Sequence, residues 1–227
     1  MCGRFAITMP ADAMAQLFEA RPANDLPDIP DYNVCPTQPV CAVRSAEGAR
    51  NLEPMRWGFV PHWAKSPTDG PLLINARAET IAEKPAFRAA ARSRRCLIPA
   101  TGFYEWTKDD AGTRYPWYIY PTGDGPLAFA GVWQDWERDG ERLRSCAIVT
   151  CAANAAMARI HHRMPVIVPR ADWAKWLGED GHGAATLMRA APADALDWYR
   201  VDRKVNSNRA EGRDLIDPVA AGGGAPS

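Results

Sequence analysis

Tyr115-Pro116-Trp117-Tyr118-Ile119-Tyr120, Leu127-Ala128-Phe129-Ala130-Gly131-Val132 and Leu143-Arg144-Ser145-Cys146-Ala147-Ile148-Val149-Thr150 follow one another in the second half of the chain. Each run is dense in aromatic and aliphatic residues, and Gly/Asp-rich turns at 122–125 and 138–140 separate them, which predicts consecutive antiparallel strands. The same style extends outward. Residues 40–44 and 51–57 read as a strand pair about the Glu47-Gly48 turn, 96–99 as a short strand, and 166–168 and 198–205 as late strands. A buried-looking run, Leu72-Leu73-Ile74, delivers Asn75-Ala76-Arg77. Helices are expected from Thr8, Pro10 and Asp12 to near Arg21, with Met14, Leu17 and Phe18 on one face, and over 79–92, 152–159 and 172–177. The five prolines of 21–39 predict an irregular connection with a short extended piece at 32–34. Many short strands, scattered helices and no internal repeat predict an α+β fold. It is a β-rich single domain over 1–218, with a curled, barrel-like, mainly antiparallel sheet and flanking short helices. The small, glycine-rich residues 219–227 are expected to form a disordered tail.

Composition narrows the function classes. The 227 residues are 47% hydrophobic and 24% charged, and Lys+Arg and Asp+Glu both number 27, so a polyanionic partner has to be met by a local basic surface. No apolar run approaches membrane-spanning length and the start lacks a signal-peptide layout, so a cytoplasmic protein is expected. Six cysteines without a Cys-x-x-Cys pair or paired-histidine spacing argue against a zinc site and a disulfide scaffold. No metal and no cofactor is expected.

The most chemically suggestive stretch is Met1-Cys2-Gly3-Arg4-Phe5. Cysteine is small enough for an initiator methionine to be trimmed, which would leave an α-amine and a thiol on one residue. With a pKa of about 7.7–8.0, about a seventh of that amine is neutral at pH 7. It can condense with an aldehyde, after which the thiol closes a thiazolidine; alternatively the thiol can attack an amide, with the amine as its base. Position alone also permits Cys2 to be merely the second residue. Three further polar stations stand beside apolar strand material: Asn75 with Arg77, Glu105 within Phe103-Tyr104-Glu105-Trp106, and His161 beside Arg163. A carboxylate hemmed in by aromatics has its pKa raised by desolvation, which suits a proton shuttle near neutral pH. Glu105 could equally face outward from an alternating strand, and His161 could be a helix-end histidine with His162 beside it. Together with Cys2 the set supplies a nucleophile, a hydrogen-bond donor, an acid/base and an imidazole.

These residues carry a resemblance to the SOS response-associated peptidase (SRAP) family of abasic-site-processing proteins. It rests on Met1-Cys2-Gly3-Arg4-Phe5, Trp57-Gly58 with Pro61 and Trp63, Asn75-Ala76-Arg77-Ala78-Glu79-Thr80, Gly102-Phe103-Tyr104-Glu105-Trp106, His161-His162-Arg163-Met164-Pro165 and Val205-Asn206. The resemblance implies that Cys2, freed of Met1, forms a thiazolidine with the ring-opened aldehyde of an abasic deoxyribose in single-stranded DNA. It further implies that Asn75 and His161 engage the sugar oxygens, that Glu105 shuttles protons, and that one positively charged groove tracks the strand. Two positions depart from the family pattern: Ala64 follows Trp63 where a second tryptophan is frequent, and His162 follows His161 where an acid is common.

Between Leu72 and Lys108 seven cations stand against three acids, a local excess suited to phosphate. Arg4, Arg77 and Arg163, each within two residues of a proposed catalytic group, are the expected phosphate contacts, and Trp63 and Trp106 the expected base-stacking platforms. A monomer acting on abasic single strands is expected, away from membranes. Two other readings stay open, an N-terminal-nucleophile cysteine amide hydrolase of the glutaminase type and a non-covalent single-strand-binding module.

Overall fold

The structure is a computed structural model that describes residues 2–219. Strand β1 (Phe5–Ile7) leads into helix α1 (Ala11–Phe18), whose Met14 and Phe18 are fully buried. Short strands β2 (Ala20–Pro22) and β3 (Asp31–Val34) precede a long hairpin, β4 (Pro39–Ala46) and β5 (Ala49–Trp57). Next come β6 (Asn75–Arg77), helix α2 (Pro85–Ser93), β7 (Arg95–Ala100), β8 (Gly102–Lys108) and β9 (Arg114–Pro121). A second long hairpin, β10 (Leu127–Arg138) and β11 (Glu141–Ala152), turns at Asp139-Gly140, where φ is 51° and 83°. Two consecutive left-handed residues match the twist of a tight hairpin, and Glu47-Gly48 does the same between β4 and β5 at 53° and 73°. Strand β12 (Arg163–Pro165), helix α3 (Trp173–Leu177) and β13 (Leu196–Arg200) complete the regular elements.

Strands β5, β4, β7, β10 and β11 pair in that order, and β11 returns to β5 in parallel through Ser145↔Arg56 and Cys146↔Trp57. The sheet therefore closes into a five-stranded barrel, the curled sheet expected of an α+β chain. Val43, Leu52, Leu97, Phe129 and Ile148 in its strands are fully buried. The second sheet runs β13-β9-β8-β1-β3, antiparallel throughout, over a smaller cluster that includes Tyr104, Tyr118, Val201 and Leu215. Strand β8 serves both cores by its two-residue period: Phe103 packs with the barrel core and Tyr104 with the smaller cluster. Gly102 makes this crossing possible, because a Cβ there would meet the Ile119 carbonyl at 2.6 Å.

Several boundaries differ from the sequence expectation. Leu72 is half exposed, and the strand consists of Asn75–Arg77 itself, short because it only fills the edge beside β11. Residues 79–84 are turns, and the helix starts only at Pro85, whose missing N–H costs nothing in the first turn. The expected helix over 152–159 reduces to one 3₁₀ turn, Met157–Arg159, since Ala152 is still bound to β12 through Arg163. Val219, where the expected tail begins, donates its N–H to Arg200; residues 220–227 lie outside the described residues. Among the described residues no helix is long and apolar enough to cross a membrane.

Candidate active site

The site is built by extending β1 backwards. Its pairing with β8 at Phe5↔Phe103 continues through the Tyr104 N–H, which donates to the Arg4 carbonyl at 2.9 Å, so residues preceding Phe5 run along Glu105 and Trp106. Phe5 fixes this segment to the barrel by packing on Trp57 and Phe129 at ring-centroid distances of 5.2 and 5.9 Å. Such aromatic pairs add about 0.5–1.5 kcal/mol each beyond their buried area. Cys2 is fully buried, and its carbonyl accepts a hydrogen bond from Asn75 Nδ2 at 3.0 Å. Asn75 is the first residue of β6, held rigidly by parallel pairing with Ile148 of β11. Its Oδ1 is buried without a hydrogen-bond partner among the described residues, an acceptor left for a hydroxyl or amine.

Glu105 occupies the strand position that the period of Phe103 assigns to the core, and it is only 3% exposed. Burial raises its pKa, against the opposing pull of His162 and Arg114. The Cys2 thiol is pushed well above its ordinary range, first by burial and then by the charge of Glu105, which places that carboxyl close to Cys2. His161 is half-buried, and burial lowers its pKa, so the ring is neutral at pH 7. Its Nδ1 lies 3.0 Å from the Arg163 N–H and 3.1 Å from the Arg163 carbonyl; when it accepts from the amide, the ring carries its proton on Nε2. Gly3, Glu105 and His161 line one pocket of about 300 Å³ together with Arg4 and Trp106. Lys108, Arg114 and Asn206 complete its wall. The four residues expected to act together thus lie around one spot, Cys2 joined to Asn75 by a hydrogen bond and to Glu105 by charge.

Comparison with known proteins bears directly on this arrangement. The family model described as SOS response associated peptidase (SRAP) matches residues 1–208. The chain belongs to the SRAP family. It is 37% identical to the abasic site processing protein YoqW of Bacillus subtilis (strain 168), over 96% of this chain and 99% of that one. Abasic site processing proteins YedK of Escherichia coli (strain K12) and HMCES of Rattus norvegicus are each 30% identical over 96% of this chain, which covers 100% of the first and 76% of the second. A protein from Bacteroides thetaiotaomicron shares the fold, with a TM-score of 0.84 at 24% identity, covering 96% of this chain and 100% of that one.

The residues expected to touch DNA are distributed unevenly on this SRAP fold. Arg77 is exposed, two residues beyond Asn75 on β6. Trp106 lies in the pocket wall, its Nε1 donating to Asn206 Oδ1 at 2.6 Å. Trp63 is 52% exposed, with its ring edge against His62 at 4.9 Å, and is not part of the pocket. Arg4 lines the pocket but spends Nη1 on Asn33 Oδ1 at 2.6 Å and the Val205 carbonyl at 3.0 Å. Arg163 is buried, its guanidinium bonded to both Glu79 oxygens at 2.7 and 2.9 Å and to the Thr150 carbonyl at 2.7 Å. Of the cations counted between Leu72 and Lys108, Arg94 is taken by Gln134 and Arg95 by backbone carbonyls near α2 and α3. Arg114 was not singled out by sequence reading. The signal was the turn at residues 109–113, which registers Lys108 against Arg114 across β8 and β9.

The Arg163–Glu79 pair ties two parts of this SRAP site together, since Glu79 follows β6, which carries Asn75, and Arg163 follows His161. It holds the Glu79 carboxyl down to about 2 through that hydrogen-bonded contact. Arg163→Met is expected to cost about 1–3 kcal/mol at pH 7 through the lost charge-assisted bonds. Glu79 is half exposed, so solvent limits its share. A carboxylate with a lowered folded pKa contributes stability above its unfolded pKa and loses it as pH falls through about 2. Urea melts at pH 7 and pH 3 should show the wild-type advantage shrinking at the lower pH; an equal difference at both assigns the cost elsewhere.

Proposed function

We propose that this protein processes abasic sites in single-stranded DNA by forming a covalent adduct through Cys2 after Met1 is removed. The observation that carries this reading is the anchoring of the Cys2 backbone by Asn75 beside a desolvated Glu105, in a pocket walled by cations and an indole. The α-amine of Cys2 attacks the open-chain aldehyde of the sugar, giving a carbinolamine. Loss of water yields an imine, the departing hydroxyl taking the proton that Glu105 has just drawn from the attacking amine, a shuttle favoured by its raised pKa. The thiol then adds to the imine carbon, its proton passes to nitrogen, and the thiazolidine closes. Asn75 Oδ1 and the Nε2–H of His161 hold the sugar hydroxyls as the ring opens. Arg77 and Trp106 steady the flanking strand. The protein acts as a monomer in the cytoplasm, without a cofactor, and the peptidase character in the family name is confined to releasing Met1.

Two features favour this order of events over an amide hydrolase. Burial and the Glu105 charge disfavour the thiolate that a hydrolase needs for first attack, whereas they do not hinder an amine. A purely non-covalent binding module, for its part, would have no use for a carboxylate kept at the cost of desolvation. Mixing the protein with an abasic single-stranded oligonucleotide and running a denaturing gel should give a shifted band that survives heat and detergent. Neither alternative yields one.

Retention of Met1 is expected to abolish the band while leaving the fold intact, because ring closure requires amine and thiol on the same residue. Mass spectrometry verifies the terminus and circular dichroism the fold. If a protein with verified Met1 crosslinks at the rate of the trimmed one, the thiazolidine mechanism is wrong.

A further inference from the structure

Trp106 is held as a fixed plate in the pocket wall by its bond to Asn206, with the Arg4 guanidinium 5.9 Å and that of Arg114 5.0 Å from its ring centre. The two arginines differ in what remains to them. Arg4 bonds Asn33 and the Val205 carbonyl and so knits the N-terminal segment to the chain's last turns. Arg114 is exposed, and among the described residues its guanidinium makes no ion pair. Lys108 is its direct cross-strand neighbour, also exposed and also outside those ion pairs. Opposed residues of an antiparallel pair share a face, so both cations project together. Asp109, next to Lys108 in the chain, is turned into its own hairpin, accepting from the Thr113 N–H at 2.8 Å and the Tyr115 hydroxyl at 3.0 Å.

Elsewhere in this chain of zero formal net charge, Arg44, Arg50, Arg144 and Arg163 are paired with carboxylates. Two adjacent cations outside those pairs, in a concave wall beside an indole, fit an anion that arrives with a flat ring attached. We propose that Lys108 and Arg114 form a phosphodiester subsite, with Trp106 stacking the base of the same nucleotide, separate from the phosphate contact assigned to Arg77. The subsite rests on the single-strand reading given above. Glu105 feels the charges of both Arg114 and His162, and His162 in turn feels Arg77. The two cationic regions therefore act on Glu105 through different neighbours.

The test is the salt dependence of binding to an undamaged single-stranded oligonucleotide, followed by fluorescence anisotropy. Each phosphate contact on a single strand contributes about 0.7 to the slope of log affinity against log salt. Lys108→Gln and Arg114→Gln are each expected to lower the slope by about 0.7, and the double variant by about 1.4. Arg114→Lys keeps the charge and should keep the slope while weakening affinity, because an ammonium stacks poorly on indole. Thermal melts should be unchanged for all four, as both side chains are exposed. A folded double variant with the wild-type slope overturns the subsite. The undamaged oligonucleotide keeps this outcome apart from the covalent reading: failure of the wild type to crosslink abasic DNA sinks that mechanism alone, and an unchanged slope sinks the subsite alone.

Discussion

Cys2→Ala is expected to turn a crosslinking protein into a strand-cutting one. Alanine at the trimmed terminus keeps an α-amine of similar pKa, so an imine with the open sugar still forms, but no thiol is present to close the ring. The imine acidifies the proton on the neighbouring sugar carbon. His161 turns its Nδ1 to the Arg163 backbone, 3.0 Å from the N–H and 3.1 Å from the carbonyl, and so away from the sugar. Glu105 has the opposite character: buried, close to residue 2, and with a raised affinity for a proton. It is expected to remove that proton and drive β-elimination of the 3′ phosphate. Denaturing gels should show the heat-stable band lost, a band recovered when borohydride is present, and cleavage of the abasic strand. The truncation removes one small buried atom, so the variant should fold. A folded, DNA-binding variant with neither trapped band nor cleavage would count against attack by the amine.

The fold was legible where a strand's own residues decide its state. The hairpins at 39–57 and 127–152 declare themselves through apolar runs and turn residues, and the barrel follows from their twist. It failed where neighbours decide. Leu72-Leu73-Ile74 is apolar enough for a strand, yet Leu73 makes only an isolated bridge to Phe59, Ile74 gives β11 a single carbonyl, and the ladder begins at Asn75. Ala152–Arg159 has helical propensity, but β11 runs on through Ala152. Propensity is a weak prior against such tertiary claims.

The site divides along a similar line. Cys2, Asn75, Glu105 and His161 stand out in the sequence as reactive or polar types beside apolar residues, an incongruity that a sequence displays, and their proposed roles come from the family resemblance. What a cation does is not displayed in that way. Arg4 and Arg163 look like phosphate contacts from their place beside reactive residues; internal acceptors take the Arg163 guanidinium and one Nη of Arg4, which still lines the pocket. Arg114 carries no signal of its own and joins the pocket only through its register with Lys108. Which arginines stay available is settled by long-range partners such as Asn33, Val205, Glu79 and Thr150, and no local window holds those pairs.

Glu105→Gln is expected to slow adduct formation on the order of 10²-fold and, at the same pH, to make the protein more stable. The kinetic effect follows from losing a proton donor and acceptor with no change of shape. The stability effect follows from linkage. Burial raises the Glu105 pKa above its unfolded value and outweighs the attraction of His162 and Arg114, so the folded state binds this proton more tightly than the unfolded chain. Stability from such a group is complete below the unfolded pKa and is lost as pH rises through the folded pKa. At pH 7.5 the wild type therefore bears the cost of a desolvated carboxylate, and the neutral amide, which mimics the protonated acid, does not. The melting temperature of Glu105→Gln should exceed that of the wild type near pH 7.5, and the gap should close toward pH 4, where both carry a neutral group. Thermal melts across that range and single-turnover crosslinking at pH 7.5 measure the two effects on the same samples. A variant that crosslinks at the wild-type rate removes Glu105 from the proton path. One that melts lower than the wild type at pH 7.5 shows instead that the ionised carboxylate is a net stabilising partner of this site.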